Sequence, residues 1–260
     1  MYSVPSKIKY VFILYSCIIC FISSCKDDEQ LIPEESFVTD FYSNAQSLYI
    51  IVGYEEGAKP FHLFKGDTVW RVLDYNLSRL LASKEINTNV PLAIGNMTNL
   101  GIREQNNYSR QNIIDLAASI QTKTNKASDK AIVVLFLDGH FIKEGVLLDR
   151  VLGLNIDGSA IVAIFKPVIL SASNKEASQA LVEQSTVTHE IGHVLGLVNN
   201  GVRATSAHHD VANGAHCTNS TCVMYWKNGE GEVSQFLNKF ESGEDVLMFG
   251  GQCIADIAAK

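Results

Sequence analysis

Apolar residues between positions 47 and 137 follow two patterns, which predict strands and helices. Continuous apolar runs at Ser47–Tyr54 and Ala131–Leu137 are rich in β-branched side chains and predict buried strands. Apolar positions recur at helical spacing in Thr68–Ala82 and Ser109–Thr124, which predicts two helices that each bury one face. The order strand, helix, helix, strand favours an α/β (α+β) fold with a mixed sheet.

A hairpin and a long helix are predicted next. Val151–Ile156 and Ala160–Ile164 are apolar runs separated by Asp157-Gly158, a pair typical of a tight hairpin turn. The helix is predicted from about Asn174 to Leu195. Gly196 then stands where a left-handed residue commonly ends a helix.

The chain after residue 197 is rich in Asn-Gly pairs and predicts a small, irregular C-terminal lobe. Only Val233–Phe240 and Glu244–Phe249 indicate helical turns there. So little regular structure predicts that this lobe depends on a metal or on its cysteines for stability.

The first 24 residues predict a leader that is removed. Lys7 and Lys9 precede an apolar run, Val11–Ile22, that is too short for a comfortable membrane span. The run closes on Ile22-Ser23-Ser24-Cys25, which resembles the lipobox of bacterial lipoproteins. That resemblance implies acylation of Cys25 and a lipid-anchored protein of the outer membrane or the cell surface. An uncleaved anchor helix would also place the remainder outside the cytoplasm.

Residues 25–40 are acidic and polar, which predicts a tether to the membrane. The leader carries two lysines and no acid, so its removal changes the net charge from −7 to −9. An acidic surface argues against a nucleic-acid partner. The length of residues 41–260 suits one domain, with an N-terminal lobe that ends near residue 197.

The long helix carries His189-Glu190-Ile191-Gly192-His193. Residues four apart lie on one face of a helix, so both imidazoles can bind one metal ion. Glu190 can reach a water bound to that ion and act as the general base of a peptidase. The pattern therefore predicts a catalytic zinc site with His189 and His193 as ligands.

A longer motif surrounds these residues. His189-Glu190-x-x-His193-x-x-Gly196, followed downstream by His216-Cys217 and by Cys222-x-Met224, resembles the metzincin clan of zinc peptidases, and its archaemetzincin pattern in particular. The resemblance covers about residues 188–226. It implies a metzincin-like fold, a third histidine ligand, and a methionine in a tight turn beneath the zinc, which is Met224 here.

The third ligand is the point at which this chain departs from the pattern. The family's third histidine stands three residues after the glycine, where this chain has Asn199, a poor zinc ligand. Residues 199–215 form an insertion before the pattern resumes at His216, which we expect to be the third ligand. The insertion also carries two alternative ligands and an acid suited to orienting a ligand histidine: His208, His209 and Asp210.

Cys217, Cys222 and Cys253 are the cysteines that follow the tether. In the resembled family, C-x4-C and a later C-x-x-C bind a second, structural zinc. Asp256 takes the last of those places here, which leaves three thiolates and one carboxylate as ligands. An oxidising compartment favours a disulfide instead, between Cys217 and Cys222 or from one of them to Cys253. We expect the disulfide and keep the second zinc as the alternative.

The sequence predicts a zinc metalloendopeptidase that acts on proteins or peptides. The resemblance implies that the hairpin strand Ser159–Ile164 pairs with an extended substrate. We expect Tyr225 to pack beside Trp226, although a part in stabilising the reaction intermediate stays open. One alternative is a surface binding lipoprotein with a structural or degenerate metal site. Another is a peptidase whose third ligand is Glu230 or Glu232.

Overall fold

The computed structural model describes residues 36–121, 126–227 and 234–260. The leader, Cys25 and most of the expected tether lie outside these residues, and so do Glu230 and Glu232. Residues 35–260 form one compact unit. Within the described ranges, no helix has the length and apolar character that a membrane span requires.

The described helices are α1 (Phe37–Asn44), α2 (Arg71–Leu80), α3 (Arg110–Ile120), α4 (Lys166–Ser171), α5 (Glu176–Val194), α6 (Ser234–Ser242) and α7 (Gly251–Ala259). The strands are β1 (Ser47–Tyr54), β2 (Leu63–Phe64), β3 (Asp67–Thr68), β4 (Asn87–Asn89), β5 (Thr98–Asn99), β6 (Asn107–Tyr108), β7 (Asp129–Leu137), β8 (His140–Lys143), β9 (Val146–Leu148), β10 (Gly153–Asn155) and β11 (Ile161–Phe165). The mixed α/β class predicted from the sequence is confirmed.

The main sheet has six strands in the order β10-β11-β7-β1-β4, and β5 pairs with the end of β1. Its pairings are parallel except at one edge, where β10 runs antiparallel to β11. β1 has the predicted bounds, Ser47–Tyr54, because its continuous apolar run matches a central strand whose two faces pack against separate cores.

Alternate residues of the central strands face two separate cores. Ile132 and Val134 of β7 belong to the core beneath α2 and α5, whereas Val133 and Leu135 face α3. The apolar stripes of the helices therefore cover both sides of the sheet, as a parallel sheet requires. This packing places α5 directly under β10 and β11.

α5 is buried along most of its length, so its polar side chains lie inside the protein. A helix in that position has to satisfy those groups internally. Glu183 does so with an ion pair to Lys166 and a hydrogen bond from the backbone N–H of Phe61, 2.8 Å away. Gly196 follows α5 with a φ of +83°, which confirms the predicted left-handed end.

The folded part begins earlier than the expected tether boundary at residue 40. α1 starts at Phe37, and Phe41 is fully buried. The Tyr42 hydroxyl donates to the Leu195 carbonyl, 3.0 Å away, so α1 supports the C-terminal end of α5.

The predicted helical turns at Glu244–Phe249 are wrong, and α7 was not predicted. Asn76 of α2 explains why this segment is not helical. Its Nδ2 donates to the Val246 carbonyl at 2.7 Å, and its Oδ1 accepts from the Met248 backbone N–H at 2.7 Å. Backbone groups held this way cannot form the hydrogen bonds of a helix.

Candidate metal centre

His189 and His193 lie one turn apart on α5, and their Nε2 atoms are 3.0 Å apart. Two nitrogens on a tetrahedral zinc are about 3.3 Å apart when each Zn–N bond is about 2.0–2.1 Å. The observed separation is therefore close to that of two ligands on one metal ion.

His216 approaches these two residues from the loop after the insertion. Its ring centre lies 5.2 Å from that of His189 and 5.0 Å from that of His193. One ligand atom from each of the three residues lies within 4.8 Å of the others. We call His189, His193 and His216 the three-histidine cluster. The donor set fits a zinc ion that keeps one position open for water.

Backbone carbonyls orient two of the three rings. The Nδ1–H of His189 donates to the Val223 carbonyl at 2.6 Å, and the Nδ1–H of His216 donates to the Asn213 carbonyl at 2.6 Å. A proton on Nδ1 leaves the lone pair on Nε2 free to bind a metal. Both rings are therefore held in the tautomer that a metal ligand needs.

Burial favours the neutral form of the two histidines on α5. Desolvation lowers the pKa of His189 to about 4, although its hydrogen bond to Val223 acts in the opposite direction. Desolvation also lowers the pKa of His193 well below its usual value. Neutral imidazole is the form that binds metal, so His189 and His193 can bind a metal ion at neutral pH without first losing a proton.

Glu190 is a buried residue of α5, and its carboxyl bonds the backbone of Asn155 in β10. Burial raises the pKa of its carboxyl to about 8, while a hydrogen bond from the Asn155 backbone N–H acts in the opposite direction. A carboxyl with a pKa near neutrality is suited to taking up a proton and then releasing it.

β10 offers an open edge beside Glu190. Its pairing with β11 is flanked by two hydrogen bonds, Ile156 N–H to the Ile161 carbonyl and Phe165 N–H to the Leu152 carbonyl. Hydrogen-bonded pairs alternate along an antiparallel ladder, so Gly153 and Asn155 direct their backbone groups to the open edge. The expected substrate strand Ser159–Ile164 is mostly β11, which is paired on both sides. That expectation is wrong, because β11 is paired on both sides, whereas β10 is the end strand beside it among the described strands.

Met224 packs against α5 at Gly192, between His189 and His193. It is fully buried, and a Cβ added to Gly192 would stand 2.4 Å from its Sδ atom. The glycine between the two histidines therefore lets Met224 pack closely against the helix. The backbone N–H of Cys217 donates to the Met224 carbonyl at 2.7 Å, which joins the His216 segment to this turn.

The alternative third ligands have other partners. Asn199 Nδ2 donates to His209 Nδ1 at 2.9 Å, and His209 Nε2–H donates to the Gly214 carbonyl at 2.9 Å. His208 points away from the three-histidine cluster, toward Asp256 and Cys217. Of the described candidates, His216 is the one that joins His189 and His193.

Asp210 was expected to orient a ligand histidine directly. It instead bonds Asn213, in the loop that carries His216. Its carboxylate accepts from Asn213 Nδ2 at 2.8 Å, and its backbone N–H donates to the His216 carbonyl at 2.7 Å. Asn213 in turn provides the carbonyl that orients His216. Neither Asn213 nor Val223 was predicted, because both act through backbone carbonyls that carry no sequence signal.

The three described cysteines are buried free thiols, so the expected disulfide is not formed. Cys222 Sγ and Cys253 Sγ are 3.6 Å apart, and His208 Nδ1 lies 3.3 Å from Cys217 Sγ. These thiols and His208 form a second group of metal-ligand atoms beside the three-histidine cluster. The sequence had suggested His208 only as a ligand of the three-histidine cluster.

Tyr225 is half-buried, and its ring centre lies 6.2 Å from that of Trp226. This is the packed arrangement that the sequence favoured. A contribution of its hydroxyl to catalysis stays a prediction.

No protein-family model matches this chain, and no curated protein matches it. The metzincin resemblance therefore depends on the motif residues alone, and the function has to be argued from the chemistry of the three-histidine cluster and Glu190.

Proposed function

We propose that the three-histidine cluster binds zinc and that the protein hydrolyses peptide bonds with Glu190 as the general base. One observation carries the proposal: a buried carboxylate stands beside convergent imidazoles at the open edge of β10. A zinc ion that only stabilises a fold is enclosed by four protein ligands and has no use for an additional carboxylate.

Zinc, when bound, supplies a Lewis acid that lowers the pKa of water and polarises the substrate carbonyl. Glu190 takes a proton from the attacking water and delivers it to the leaving amine. The Asn155 N–H fixes the position of that carboxylate through their hydrogen bond. Glu190 is buried, and in such low-dielectric surroundings the hydrogen bonds that it makes during proton transfer are stronger than they would be in water.

The substrate that fits this geometry is an extended peptide. Gly153 and the carbonyl of Asn155 face the open edge of β10, and a strand added there would be held by main-chain hydrogen bonds. Since the Asn155 N–H already contacts Glu190, such a peptide would lie next to the general base. This geometry supports an extended peptide as the substrate class and indicates no preferred side chain.

The test is hydrolysis of a mixture of unstructured peptides, followed by mass spectrometry and paired with metal analysis. Glu190→Gln should retain the metal and lose about 10²- to 10⁴-fold in turnover, the range for removal of a general acid–base group. Glu176→Gln, an exposed change in the first turn of the same helix, should leave turnover unchanged. Equal turnover in Glu190→Gln and wild type would contradict the proposal.

We also propose that the enzyme is held at the cell envelope through an acylated Cys25, which the lipobox resemblance supports. The alternative is a surface binding lipoprotein with a structural metal site. Metal binding at the cluster without hydrolysis of any peptide in the mixture would favour that alternative.

A further inference from the structure

We propose that the buried ion pair between Lys166 and Glu183 is a positioning pair, which holds Glu190 against β10. Lys166 directly follows β11, and Glu183 lies on α5, seven residues before Glu190. The pair therefore joins α5 to the hairpin formed by β10 and β11. The catalytic consequence rests on the proposed function of Glu190, whereas the way in which the pair holds α5 does not.

The ion pair is enclosed, and its geometry is fixed from several sides. Glu183 is fully buried, and Lys166 is 4% exposed. The Lys166 ammonium donates to Glu183 Oε2, and the backbone N–H of Phe61 donates to Glu183 Oε1 at 2.8 Å. The Phe61 ring covers the ammonium, with Nζ 3.8 Å from the ring centre, and the Phe61 carbonyl accepts from the Trp70 indole N–H at 2.9 Å. Neither charged group therefore has room to change its direction.

Stability alone does not account for this pair. Burial raises the pKa of the Glu183 carboxyl to about 7, although Lys166 and the Phe61 N–H act in the opposite direction. The contacts of the carboxylate therefore do not fully offset its desolvation. Replacement of a buried ion pair by apolar side chains of similar volume is often neutral or even stabilising. What the pair adds to apolar packing is a fixed direction and distance between two elements.

Two further contacts join α5 to the same hairpin. A Cβ added to Gly153 would stand 2.8 Å from Thr186 Cγ2, so the absence of a side chain at Gly153 lets α5 pass close to β10. Glu190 accepts a hydrogen bond from the Asn155 backbone N–H. Together with the ion pair, these contacts follow one another along α5 at residues 183, 186 and 190. Residues spaced by three and four positions lie on one face of a helix, so that face is fastened to the hairpin along its length.

The spacing of the contacts on α5 is similar to their spacing on the hairpin. Glu183 and Glu190 are seven residues apart, which is about 10.5 Å along a helix. Asn155 pairs with Val162 of β11, four residues before Lys166, which is about 13 Å along a strand. The ion pair at one end and the Asn155 bond at the other therefore fix where α5 lies along the hairpin. Loss of the ion pair would let Glu190 shift relative to the open edge of β10.

A small shift of Glu190 would matter for the proposed chemistry. A general base has to lie within hydrogen-bond reach of the proton that it takes. A misplacement of about 1 Å that originates far from the reacting atoms can lower a rate about 100-fold. Lys166 and Glu183 act on the reaction through α5, so we expect their loss to lower kcat and to change KM little.

The experiment compares the purified full chain with the double variant Lys166→Met/Glu183→Gln. Methionine is apolar and close to lysine in length, and glutamine keeps an oxygen that accepts from the Phe61 N–H. The double change therefore removes both charges and preserves the volume of the site. Asp40→Asn/Lys130→Met is the matched control, because it removes an ion pair that joins α1 to β7.

Amide hydrogen exchange, followed by NMR without added metal, reports the position of α5 directly. Exchange at Asn155 should be about tenfold faster in the double variant, because its bond to Glu190 opens more often. Exchange at Val134, in the centre of the sheet, should match wild type. With Zn²⁺ added, kcat for peptide hydrolysis should fall about 10- to 100-fold while KM changes little. The control variant should match wild type in every measurement.

The proposal is overturned if exchange at Asn155 rises no more than exchange at Val134, because the pair would then only stabilise the fold. Unchanged kcat in an active double variant would also overturn it. Glu183→Asp provides the same test if the double variant does not fold, since it keeps the charge but withdraws the carboxylate by one CH₂ group. Faster exchange at Asn155, in a protein whose wild type hydrolyses no peptide, would contradict the proposed function and still support the positioning of Glu190.

Discussion

The Nδ1–H of His189 donates to the backbone carbonyl of Val223, 2.6 Å away, and this bond joins α5 to the turn that precedes Met224. Val223 also donates its backbone N–H to the Met248 carbonyl at 2.8 Å. The turn is therefore bound on one side to α5 and on the other to the C-terminal segment. A histidine oriented in this way keeps its Nε2 directed at the three-histidine cluster.

Replacement of Gly192 by alanine should displace Met224. The added Cβ would stand 2.4 Å from Met224 Sδ, inside a fully buried region, and overpacking of this kind costs about 1–3 kcal/mol. The free energy of unfolding, measured in urea, should fall by that amount. Gly95→Ala is the matched control, because a Cβ there meets nothing within 4 Å and should leave stability nearly unchanged.

Asn76→Ala should destabilise the protein by about 2–4 kcal/mol. The Asn76 side chain bonds the backbone of Val246 and Met248 in a buried region, and its removal leaves at least two buried groups without partners. Urea unfolding measures the loss. The exposed Ser78→Ala on the same helix should change stability by less than about 0.5 kcal/mol, and equal losses in both variants would contradict this explanation.

The metal-free protein should show a pH dependence that His189 causes. Burial lowers the pKa of His189 to about 4 in the folded state, whereas an ordinary histidine titrates near 6.5. The unfolded state therefore binds the proton first, and the stability contributed by neutral His189 is present above about pH 6.5 and lost as the pH falls through about 4.

Thermal unfolding of wild type and His189→Asn in chelator, over a series of pH values, measures this dependence. The stability of wild type should fall more steeply between pH 6.5 and pH 4 than that of the variant. Parallel curves would show that His189 does not titrate in that range.

Cys25→Ser should move the protein from the membrane fraction to the soluble fraction of its cell envelope. The predicted anchor requires the thiol of Cys25, and acyl chains contribute about 0.8 kcal/mol per buried CH₂ group. Detergent partitioning of wild type and variant measures the change. Retention of Cys25→Ser in the membrane would favour the uncleaved anchor helix instead.

Short sequence patterns were sufficient to predict the features that are determined by residues close together in the chain. The run Ser47–Tyr54 predicted β1 with its observed bounds, and the spacing of His189 and His193 predicted that they share one helix face. Gly196 ends α5 as predicted, because a left-handed residue is a local requirement.

Relationships between distant residues were not accessible from the sequence. Asn76 lies 170 residues before Val246, so nothing local indicated that it would keep residues 244–249 from forming a helix. The pairing of His208 with Asp256 spans 48 residues, so nothing local in the sequence indicated it. The free edge at β10 depends on strand order, which the hairpin pattern alone does not determine.

The most direct measurement of the central claim is the zinc content of purified His216→Ala and His209→Ala beside wild type, by elemental mass spectrometry. Both residues flank the same short loop, but only His216 belongs to the three-histidine cluster. The three-histidine centre predicts that His216→Ala loses about one zinc per chain and that His209→Ala loses none. Undiminished zinc in His216→Ala would contradict it.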